Sequence, residues 1–281
     1  MKKLLHIALG NHNIGLWRAF ENNFQTKHYN WLLKINNKSD INNDIVQIVN
    51  NFKPDVVFMQ IQREGVIYPS TARILSKNAF VMNWTGDVRH PLPNWFIDLG
   101  KLIDVTLFSN MEDVKISRLK GINSDYLQVG FDPNVFTPKG DIMKVPNIIF
   151  MGSNYIDQMD FPLSQFRYDM VKTLTNSFGN QFQCYGGNWT GINPEYKMVD
   201  NNMESKTYRS SQFAINLSHF NYSRYSSDRI LRIMGSGAFC LSHYYDDISS
   251  DFIIGKHLDT WKTFEELIEK IKYYSKNEFK R

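Results

Sequence analysis

Residues Tyr225–Asp247 read YSSDRILRIMGSGAFCLSHYYDD, and this stretch predicts a short helix followed by a buried strand. Arg229 and Arg232 are three positions apart, so they share one face of the helix. Gly235 and Gly237 follow, and glycine is favoured where a helix ends. The apolar run AFCLSHY then predicts a strand that enters a hydrophobic core. The stretch is therefore one helix–strand unit of an α/β protein.

The same alternation of apolar strands and amphipathic helices extends along the chain. Strands such as LLHIALG and NIIFMG are continuously apolar, which is typical of a parallel sheet covered by helices on both faces. WLLKI, residues 31–35, is also predicted to be a strand, and Thr263 with Glu266 forms a capping box that starts the last helix. FDPNVFTPKGDIMKVP, with three prolines and no periodicity, is interpreted as a linker. We predict two Rossmann-like, doubly wound domains facing a cleft, over residues 1–140 and 141–281.

Length and composition agree with two globular domains. The chain has 281 residues, of which 42% are hydrophobic and 21% charged. No apolar run reaches the roughly 20 residues of a membrane span, and the N-terminal run is too short for a signal peptide. Cys184 and Cys240 lie far apart in apolar segments, which favours buried free thiols and a cytoplasmic location. The net charge of +4 permits contact with polyanions without requiring it.

Ligands of doubly wound sheets bind beyond the carboxyl ends of the strands, so the loops that follow strands hold the candidate residues. GNHNIG follows the first strand and lacks the second glycine of the dinucleotide-binding fingerprint GxGxxG. The chain also contains no GxxxxGK[ST] phosphate-binding loop. Gly10 and Asn11 are compatible with a tight turn or with an acceptor that approaches the backbone.

A second polar loop, TGDVRH, follows the strand NAFVMNW. An aspartate at the mouth of a cleft can serve as a general base for a hydroxyl group, which makes Asp87 the candidate catalytic residue. Thr85, Gly86 and Arg89 would line the same acceptor side, with Arg89 placed to orient a charged ligand. A polar turn with a surface ion pair between Asp87 and Arg89 is the alternative.

The third loop, at Gly152, Ser153 and Asn154, opens the second domain. Its backbone N–H groups could bind a phosphate, as those of glycine-rich loops do. A simple turn explains the same residues equally well.

The opening stretch supplies further candidate residues, here for binding an anion. Ser226 or Ser227 is predicted to cap the helix, and Tyr225 directly precedes them. The forked guanidinium groups of Arg229 and Arg232 suit the oxygens of a diphosphate. A solvated basic helix face is the alternative interpretation.

Three motifs occur in order along the chain: QVGFDPNVFTP (Gln128–Pro138), NIIFMGSNY (Asn147–Tyr155), and Ser226–Tyr274 with its arginine helix, small-residue turn, apolar strand, acidic loop and closing helix. In these motifs the chain resembles the GT-B glycosyltransferases, in particular the CgeB/YkvP-like branch and its short phage-encoded members. The first motif resembles the segment that ends the first domain of many such enzymes, the second resembles the start of the second domain, and the third follows the family's C-terminal pattern. The resemblance covers the second domain, whereas the first matches only in architecture.

The resemblance implies a nucleotide-sugar donor, with a UDP-hexose favoured, and neither a metal ion nor another cofactor. The diphosphate would lie against Ser226–Arg232 and the Gly152–Ser153 loop, and the nucleoside near Trp189 and His219. Many relatives carry a glutamate where Arg232 stands, and that carboxylate holds donor hydroxyls. Because arginine cannot accept a hydrogen bond, Arg232 is expected to contact phosphate instead.

The resemblance leaves the acceptor open. Short phage-encoded relatives suggest a 5-hydroxymethylpyrimidine in duplex DNA, in the host cytoplasm, where basic side chains of the first domain would contact phosphates: Lys101, Lys115, Arg118 and Lys120. A polysaccharide or surface glycan is the alternative acceptor, and a non-catalytic nucleotide or sugar binder is the alternative of another class. Asp87 would be the base of an inverting enzyme or an acceptor-binding group of a retaining one. A monomer or a dimer is compatible with the sequence.

Overall fold

The computed structural model of the chain divides into two compact units, Met1–Val129 and Gly130–Arg281. The residues that the structure describes are 1–10, 14–89, 91–140, 142, 147–157, 161–189, 191–192, 199–200 and 203–278.

The N-terminal unit is a parallel sheet with connecting helices. Its described strands are β1 (Lys3–Ala8), β2 (Gln25–Asn30), β3 (Val56–Met59), β4 (Phe80–Thr85), β5 (Val105–Phe108) and β6 (Ser124–Tyr126). Its described helices are α1 (Ile14–Asn23), α2 (Lys38–Phe52), α3 (Pro69–Asn78), α4 (Asn94–Gly100) and α5 (Met111–Leu119). The strand order is β2–β1–β3–β4–β5–β6, and every neighbouring pair is parallel. The order reverses direction between β1 and β3, as in a doubly wound sheet.

The predicted strand WLLKI is wrong. Residues Leu32–Lys34 form one turn of 3₁₀-helix, and the strand is β2, which precedes them. Trp31 is buried in the apolar core, and its indole N–H donates to the carbonyl oxygen of Gln60 at 3.3 Å, whereas 83% of Leu33 is exposed. β2 lies at the edge of the sheet, where its polar sequence QTKHYN is tolerated. Because the sequence prediction looked for apolar runs, it did not recognise this polar segment as a strand.

A buried pair of histidines joins β1 to β2. His6 is fully buried; its Nε2 lies 3.1 Å from Oε1 of Gln60 and its Nδ1 lies 3.0 Å from Nδ1 of His28. Since the Gln60 oxygen can only accept, Nε2 of His6 carries the proton and Nδ1 accepts from His28. Burial lowers the pKa of His6 to about 4.

The C-terminal unit repeats the architecture with a smaller sheet. Its described strands are β7 (Ile148–Met151), β8 (Phe182–Tyr185), β9 (Phe213–Asn216), β10 (Cys240–His243) and β11 (Asp259–Trp261). Its described helices are α6 (Ser164–Phe178), α7 (Glu204–Ser210), α8 (Arg229–Gly235) and α9 (Phe264–Lys276). The order is β11–β10–β9–β7–β8, with all pairs parallel. As predicted, the Thr263 hydroxyl caps α9 by accepting from the backbone N–H of Glu266 at 3.2 Å.

The start of the segment interpreted as a linker belongs to the C-terminal unit, which begins at Gly130. The Phe136 side chain is buried, and the backbone N–H of Thr137 donates to the hydroxyl of Ser205 at 3.3 Å. Phe131 packs on Gly235, where an added Cβ would lie 2.4 Å from its ring. These contacts attach the proline-rich segment to α7 and α8.

Both cysteines are buried and free, as the sequence predicts. Burial raises the pKa of the Cys184 and Cys240 thiols above its usual range. None of the described helices has the length and apolarity that a membrane-spanning helix requires.

The buried His6 is expected to make the stability of the N-terminal unit depend on pH. Its folded pKa of about 4 lies below the ordinary 6.5, so between these values the unfolded chain binds more protons. The stabilisation is complete above pH 6.5 and falls by about 3 kcal/mol as the pH drops towards 4. Denaturant unfolding at pH 7, 5.5 and 4.5 should give a shallower pH dependence for His6→Gln than for the natural protein. His257→Gln provides the control, because His257 lies in the other unit and its replacement leaves the N-terminal unit unchanged. Equal slopes for His6→Gln and the natural protein would contradict the assignment.

Candidate functional site

The candidate site of the C-terminal unit lies at the switch point of its sheet. β7 and β9 are neighbours in the sheet, and the chain leaves them towards opposite edges. The loops after them, which begin at Gly152 and Leu217, therefore diverge at the carboxyl ends of the strands, where doubly wound sheets bind ligands.

Arg229 crosses this switch point from α8. Its Nε donates to the carbonyl oxygen of Met151, which ends β7. Its Nη1 donates to the carbonyl oxygen of Leu217 at 3.0 Å and to the hydroxyl of Ser227 at 3.2 Å. The guanidinium thereby joins the ends of β7 and β9.

The helix that carries Arg229 starts later than predicted. Asp228 occupies the N-cap position without a side-chain cap hydrogen bond, so the predicted capping by Ser226 or Ser227 is wrong. The backbone N–H of Ser227 instead donates to the hydroxyl of Ser218 at 3.0 Å, which ties the segment to the loop after β9.

Arg167 on α6 is a site residue that the sequence interpretation missed. It is only 2% exposed, and its Nη2 donates to the carbonyl oxygen of Leu217 at 2.7 Å. Its Nη1 donates to the carbonyl oxygen of Ser153 at 3.2 Å and to Nε2 of His219 at 2.6 Å. Its position in the sequence could have identified it, because Arg167 has the helical spacing of the buried α6 residues Met170, Val171 and Leu174.

The two arginines are close together and lack an acidic partner among the described residues. Their guanidinium carbons lie 5.5 Å (Arg167) and 5.2 Å (Arg229) from the centre of the buried Phe150 ring. In the described part of the chain, the ion pairs of this unit involve Arg224, Arg232 and Lys270 instead. Cation–π contacts and carbonyl oxygens solvate the guanidinium groups, but they do not neutralise two charges.

The pKa of Arg167 reflects the cost of placing two positive charges close together in a buried position. Burial, and then the nearby charge of Arg229, hold the pKa of Arg167 well below its usual range. The same two causes, burial and the charges of Arg167 and Arg229, lower the pKa of His219 to about 3. His219 is therefore neutral at physiological pH and accepts from Arg167, and the site as a whole favours an anion.

Arg232, which was expected to contact phosphate, is already paired. Its Nη1 lies 3.1 Å from a carboxylate oxygen of Glu204, and its Nη2 lies 2.6 Å from one of Asp228. Its guanidinium also lies 5.2 Å from the centre of the Phe136 ring. Two carboxylates more than balance its charge, so it adds little attraction for an anion.

A small cavity opens between the loop after β7 and the loop after β8. Its volume is about 110 Å³, and Gly152, Ser153, Gly186 and Glu204 are among the residues that line it. An added Cβ on Gly152 would lie 2.9 Å from Nη2 of Arg229, so that guanidinium packs against the backbone of Gly152, one of the residues that line the cavity. The predicted residues Gly152 and Ser153 thus lie at an open site next to Arg229.

The other predicted donor residues surround the site without lining this cavity. Trp189 is fully buried, and its indole N–H donates to the carbonyl oxygen of Gly152 at 2.7 Å, so it positions the loop rather than exposing a ring for stacking. Asn154 is also buried, and its side-chain amide donates to the carbonyl oxygen of Asn188 at 3.1 Å. Ser226 is fully buried, whereas Tyr225 is partly exposed and packs its ring on Phe220 at 5.7 Å.

Of the predicted catalytic and acceptor-side residues, Thr85 ends β4, and Gly86, Asp87 and Arg89 lie in the loop that follows it. The Asp87 side chain is 66% exposed, and one of its carboxylate oxygens lies 3.6 Å from Nη2 of Arg89. Arg89 also donates through Nε to the hydroxyl of the buried Thr85 at 3.1 Å, and burial lowers its pKa. Gly86 accepts at its carbonyl oxygen from the hydroxyl of Ser109 at 2.9 Å.

The loop after β1 is only partly described. Gly10 has a φ of 122°, and an added Cβ there would lie 2.5 Å from Nδ2 of Asn30, so the position requires glycine. The predicted Asn11 lies outside the described residues.

Asp113 is a second residue that the sequence interpretation missed. It is fully buried on α5, and its Oδ2 accepts from the backbone N–H of Arg89 at 2.8 Å and from the Asn110 amide at 2.8 Å. It therefore fixes the loop that carries Asp87 and Arg89. The spacing of Asn110 and Asp113, which matches a helix cap with an acidic third residue, was the available signal.

Two of the four basic residues expected to contact DNA, Arg118 and Lys115, have local partners. Arg118 donates through Nε and Nη2 to the carbonyl oxygen of Ser124, at 3.0 and 2.8 Å. Lys115 lies 3.9 Å from Glu112. Among the described residues, no group of three or more His, Cys, Asp or Glu side chains is placed to hold a metal ion.

Comparison with known families gives a partial match. Residues 167–281 match a family model described as glycosyl transferase-like, and the match begins at the buried Arg167. No curated protein sequence matches the chain significantly.

Solved structures match over nearly the whole chain at low sequence identity. Sucrose-phosphate synthase from Thermosynechococcus elongatus superposes with a TM-score of 0.64 at 7% identity, covering 98% of this chain and 90% of that one. HepE from Anabaena, in complex with UDP and glucose, gives 0.59 at 8%, covering 100% and 91%. An α1,3-fucosyltransferase with GDP-fucose gives 0.57 at 13%, covering 100% and 80%. These matches confirm the predicted fold class, two Rossmann-like units of the GT-B type, whereas the CgeB/YkvP-like branch and a phage origin stay predictions.

Gly186 is expected to be essential to the shape of the cavity. Its φ is 129°, and an added Cβ would lie 2.5 Å from the carbonyl oxygen of Gly152. Gly186→Ala should therefore lower the free energy of unfolding of the C-terminal unit by at least about 2 kcal/mol. Gly187→Ala is the matched control, because its nearest neighbour would be the Ser153 hydroxyl at an ordinary 3.7 Å. Thermal unfolding compares the two, and equal losses would show that the close approach does not restrict position 186.

Proposed function

We propose that this protein is a glycosyltransferase that transfers a sugar from a nucleotide-sugar to an acceptor hydroxyl. The observation that carries the proposal is the pair of arginines, Arg167 and Arg229, that meets at the sheet switch point without an acidic partner among the described residues. A diphosphate supplies the missing negative charge at the position where doubly wound sheets bind nucleotides.

The comparisons support the same chemistry. The glycosyl transferase-like family model matches residues 167–281. This range includes both arginines, Arg167 on α6 and Arg229 on α8. Two structural neighbours were solved with UDP and glucose or with GDP-fucose. For this chain we favour a UDP-hexose as the donor.

The arginines would act on the leaving group. During transfer the bond between the anomeric carbon and the diphosphate oxygen breaks, and its electron pair stays on that oxygen. The acceptor oxygen forms the new bond to the anomeric carbon. Because Arg167 and Arg229 are held in place by strand carbonyl groups, their charge can stabilise the developing diphosphate without rearrangement. We therefore expect transfer that needs no added metal ion.

Asp87 is proposed as the group that takes the proton of the acceptor hydroxyl. Its carboxylate is exposed on a loop that Arg89 and Asp113 hold. The proposed acceptors are a 5-hydroxymethylpyrimidine in duplex DNA and a glycan hydroxyl. The local partners of Arg118 and Lys115 give the DNA acceptor no added support.

The deciding experiment is a release assay for nucleoside diphosphate with a panel of UDP- and GDP-sugars, run in EDTA and again with Mg²⁺. Duplex DNA containing 5-hydroxymethylcytosine or 5-hydroxymethyluracil and a set of oligosaccharides serve as acceptors, and mass spectrometry detects the added hexose. Transfer in EDTA is the expected result. Tight donor binding without release or transfer would instead favour a non-catalytic binder, and absence of both would contradict the proposal.

Removal of either arginine of this pair should weaken donor binding. Arg229→Gln and Arg167→Gln each remove a charged hydrogen-bond donor, so the Kd for UDP should rise at least about 10-fold. Isothermal titration calorimetry measures the change, and circular dichroism confirms that each variant is folded. Arg118→Gln, in the other unit, is the control and should bind UDP normally. Unchanged affinity in both folded variants would place the diphosphate elsewhere.

Asp87→Asn should abolish transfer and spare donor binding. The amide keeps the shape of the side chain but cannot take a proton. We expect kcat to fall by about 100-fold or more while the Kd for UDP stays within about twofold. A full kcat for Asp87→Asn would show that Asp87 is not the catalytic base. This is the result expected of a retaining enzyme, which needs no such base.

A further inference from the structure

The amino edge of the N-terminal sheet, where its strands begin, carries a row of lysines. One lysine precedes each of five neighbouring strands by one to four residues. In order along the edge, from β1 to β6, these exposed residues are Lys2, Lys53, Lys77, Lys101 and Lys120. Since neighbouring strands lie about 4.8 Å apart, the row is roughly 19 Å long.

Four of these lysines stand at the ends of helices that share one face of the sheet. The helices α2, α3, α4 and α5 connect β2 to β6 and always proceed in the same direction across the sheet. Right-handed connections therefore place them on the same face, with their C-terminal ends at the amino edge. Lys77 lies in the last turn of α3, and the C-cap positions of the other three helices are occupied by Lys53, Lys101 and Lys120. The positive charges are thus gathered at one end of one layer of the unit.

Contacts between the starts of the strands make this edge a single surface. The backbone N–H of Asp55 donates to the carbonyl oxygen of Lys3 at 2.9 Å, and that of Phe80 donates to the carbonyl oxygen of Asp55 at 3.0 Å. An added Cβ on Gly121 would lie 3.7 Å from Cε of Lys101, so the Lys101 side chain lies against the turn between α5 and β6.

Ion pairs do not neutralise this row. Within the described part of the chain, none of the five lysines pairs with a carboxylate. Asp55 and Asp104, which precede β3 and β5, instead accept from the backbone N–H groups of Lys3 and Val81, each at 2.7 Å. The helix dipole favours a cation at each C-terminus, but it does not remove the charge from the surface. The edge therefore keeps an excess of positive charge.

Two large apolar side chains stand among these charges. Leu119, which is 86% exposed, directly precedes Lys120, and Phe80, which is 50% exposed, is the first residue of β4. The phosphates of a nucleic acid backbone would remove no apolar surface from water at these positions. The surface of a lipid bilayer accommodates both kinds of group, because apolar side chains enter the acyl boundary while lysines stay at the head groups.

We propose that the amino edge of the N-terminal sheet is a docking surface for a membrane that contains anionic phospholipid. The lysines contact the anionic head groups, and Leu119 and Phe80 lie at the boundary of the acyl chains. The surface is independent of the candidate donor site, which belongs to the other unit. It also lies at the opposite end of β4 from Asp87, and the six residues of that strand span about 17 Å. A membrane at the amino edge consequently leaves the loop after β4 uncovered.

The test is co-sedimentation of the full chain with vesicles of phosphatidylcholine alone and with vesicles that also contain about 30% phosphatidylglycerol. The protein should bind only the anionic vesicles, and less so when NaCl is raised from about 0.1 M to about 0.5 M, because salt screens the charges. Lys53→Gln combined with Lys77→Gln should lower the partition coefficient at least about 10-fold. Equal binding to both kinds of vesicle, or binding to neither, would overturn the proposal.

Two matched controls separate this surface from general basicity and general hydrophobicity. Lys172→Gln combined with Lys272→Gln removes the same charge from exposed positions on α6 and α9, and should change the partition coefficient by no more than about twofold. Leu119→Ser should lower it at least about threefold, whereas Leu33→Ser, at a position 83% exposed beyond the carboxyl end of β2, should not. Equal losses in the two lysine double variants would show that the net charge, and not the amino edge, binds the vesicles.

Duplex DNA distinguishes the other polyanion that lysines can bind. A duplex of about 30 base pairs is titrated in the same buffer. Vesicle binding that depends on both Leu119 and the lysines supports the membrane surface. Tighter binding to DNA than to the anionic vesicles, with no effect of Leu119→Ser on either, would make the edge a nucleic-acid surface and the proposal wrong.

Discussion

The arrangement of the C-terminal unit depends on one constraint, the packing of two guanidinium groups, one of them fully buried, against a single aromatic ring. Arg167 comes from α6 and Arg229 from α8, and both meet above Phe150 of β7. Arginine keeps its proton in proteins, so the repulsion between the two cannot be relieved by deprotonation. The folded unit therefore retains a local excess of positive charge at the ends of two adjacent strands.

Carbonyl oxygens at the strand ends stabilise this excess positive charge by accepting hydrogen bonds from the two arginines. Leu217 accepts from both arginines, while Met151 and Ser153 accept from one each. Parallel strands end with such oxygens side by side, which is a geometric reason for the arginines to gather there. Trp189 in turn donates to the carbonyl oxygen of Gly152 and holds the intervening loop. The short backbone segment Met151–Ser153 consequently contributes both to the packing of the core and to the candidate ligand site.

Sequence reasoning recovered those parts of this arrangement that local patterns encode. Strand periodicity placed Gly152, Ser153 and Arg229 near one another, because parallel strands present their following loops at one edge. Arg167 could not be separated from an ordinary arginine beside an apolar stripe, since its burial arises only when α6 packs on the sheet. Glu204 was missed for a similar reason, as its contact with Arg232 joins two separate helices. The edge strand β2 could not be predicted because an apolar pattern indicates a strand only where the strand is buried, and β2 is largely polar and incompletely buried.

The unneutralised arginine pair also has a consequence for the lifetime of the protein in a cell. A ligand that binds only the folded state lowers the fraction of molecules that open, in proportion to its concentration relative to Kd. Degradation by proteases follows that open fraction when opening and closing are fast. Under the proposed function, the abundance of this protein would rise and fall with the supply of nucleotide-sugar, so that a shortage of the donor would reduce the amount of the protein as well as the rate of transfer.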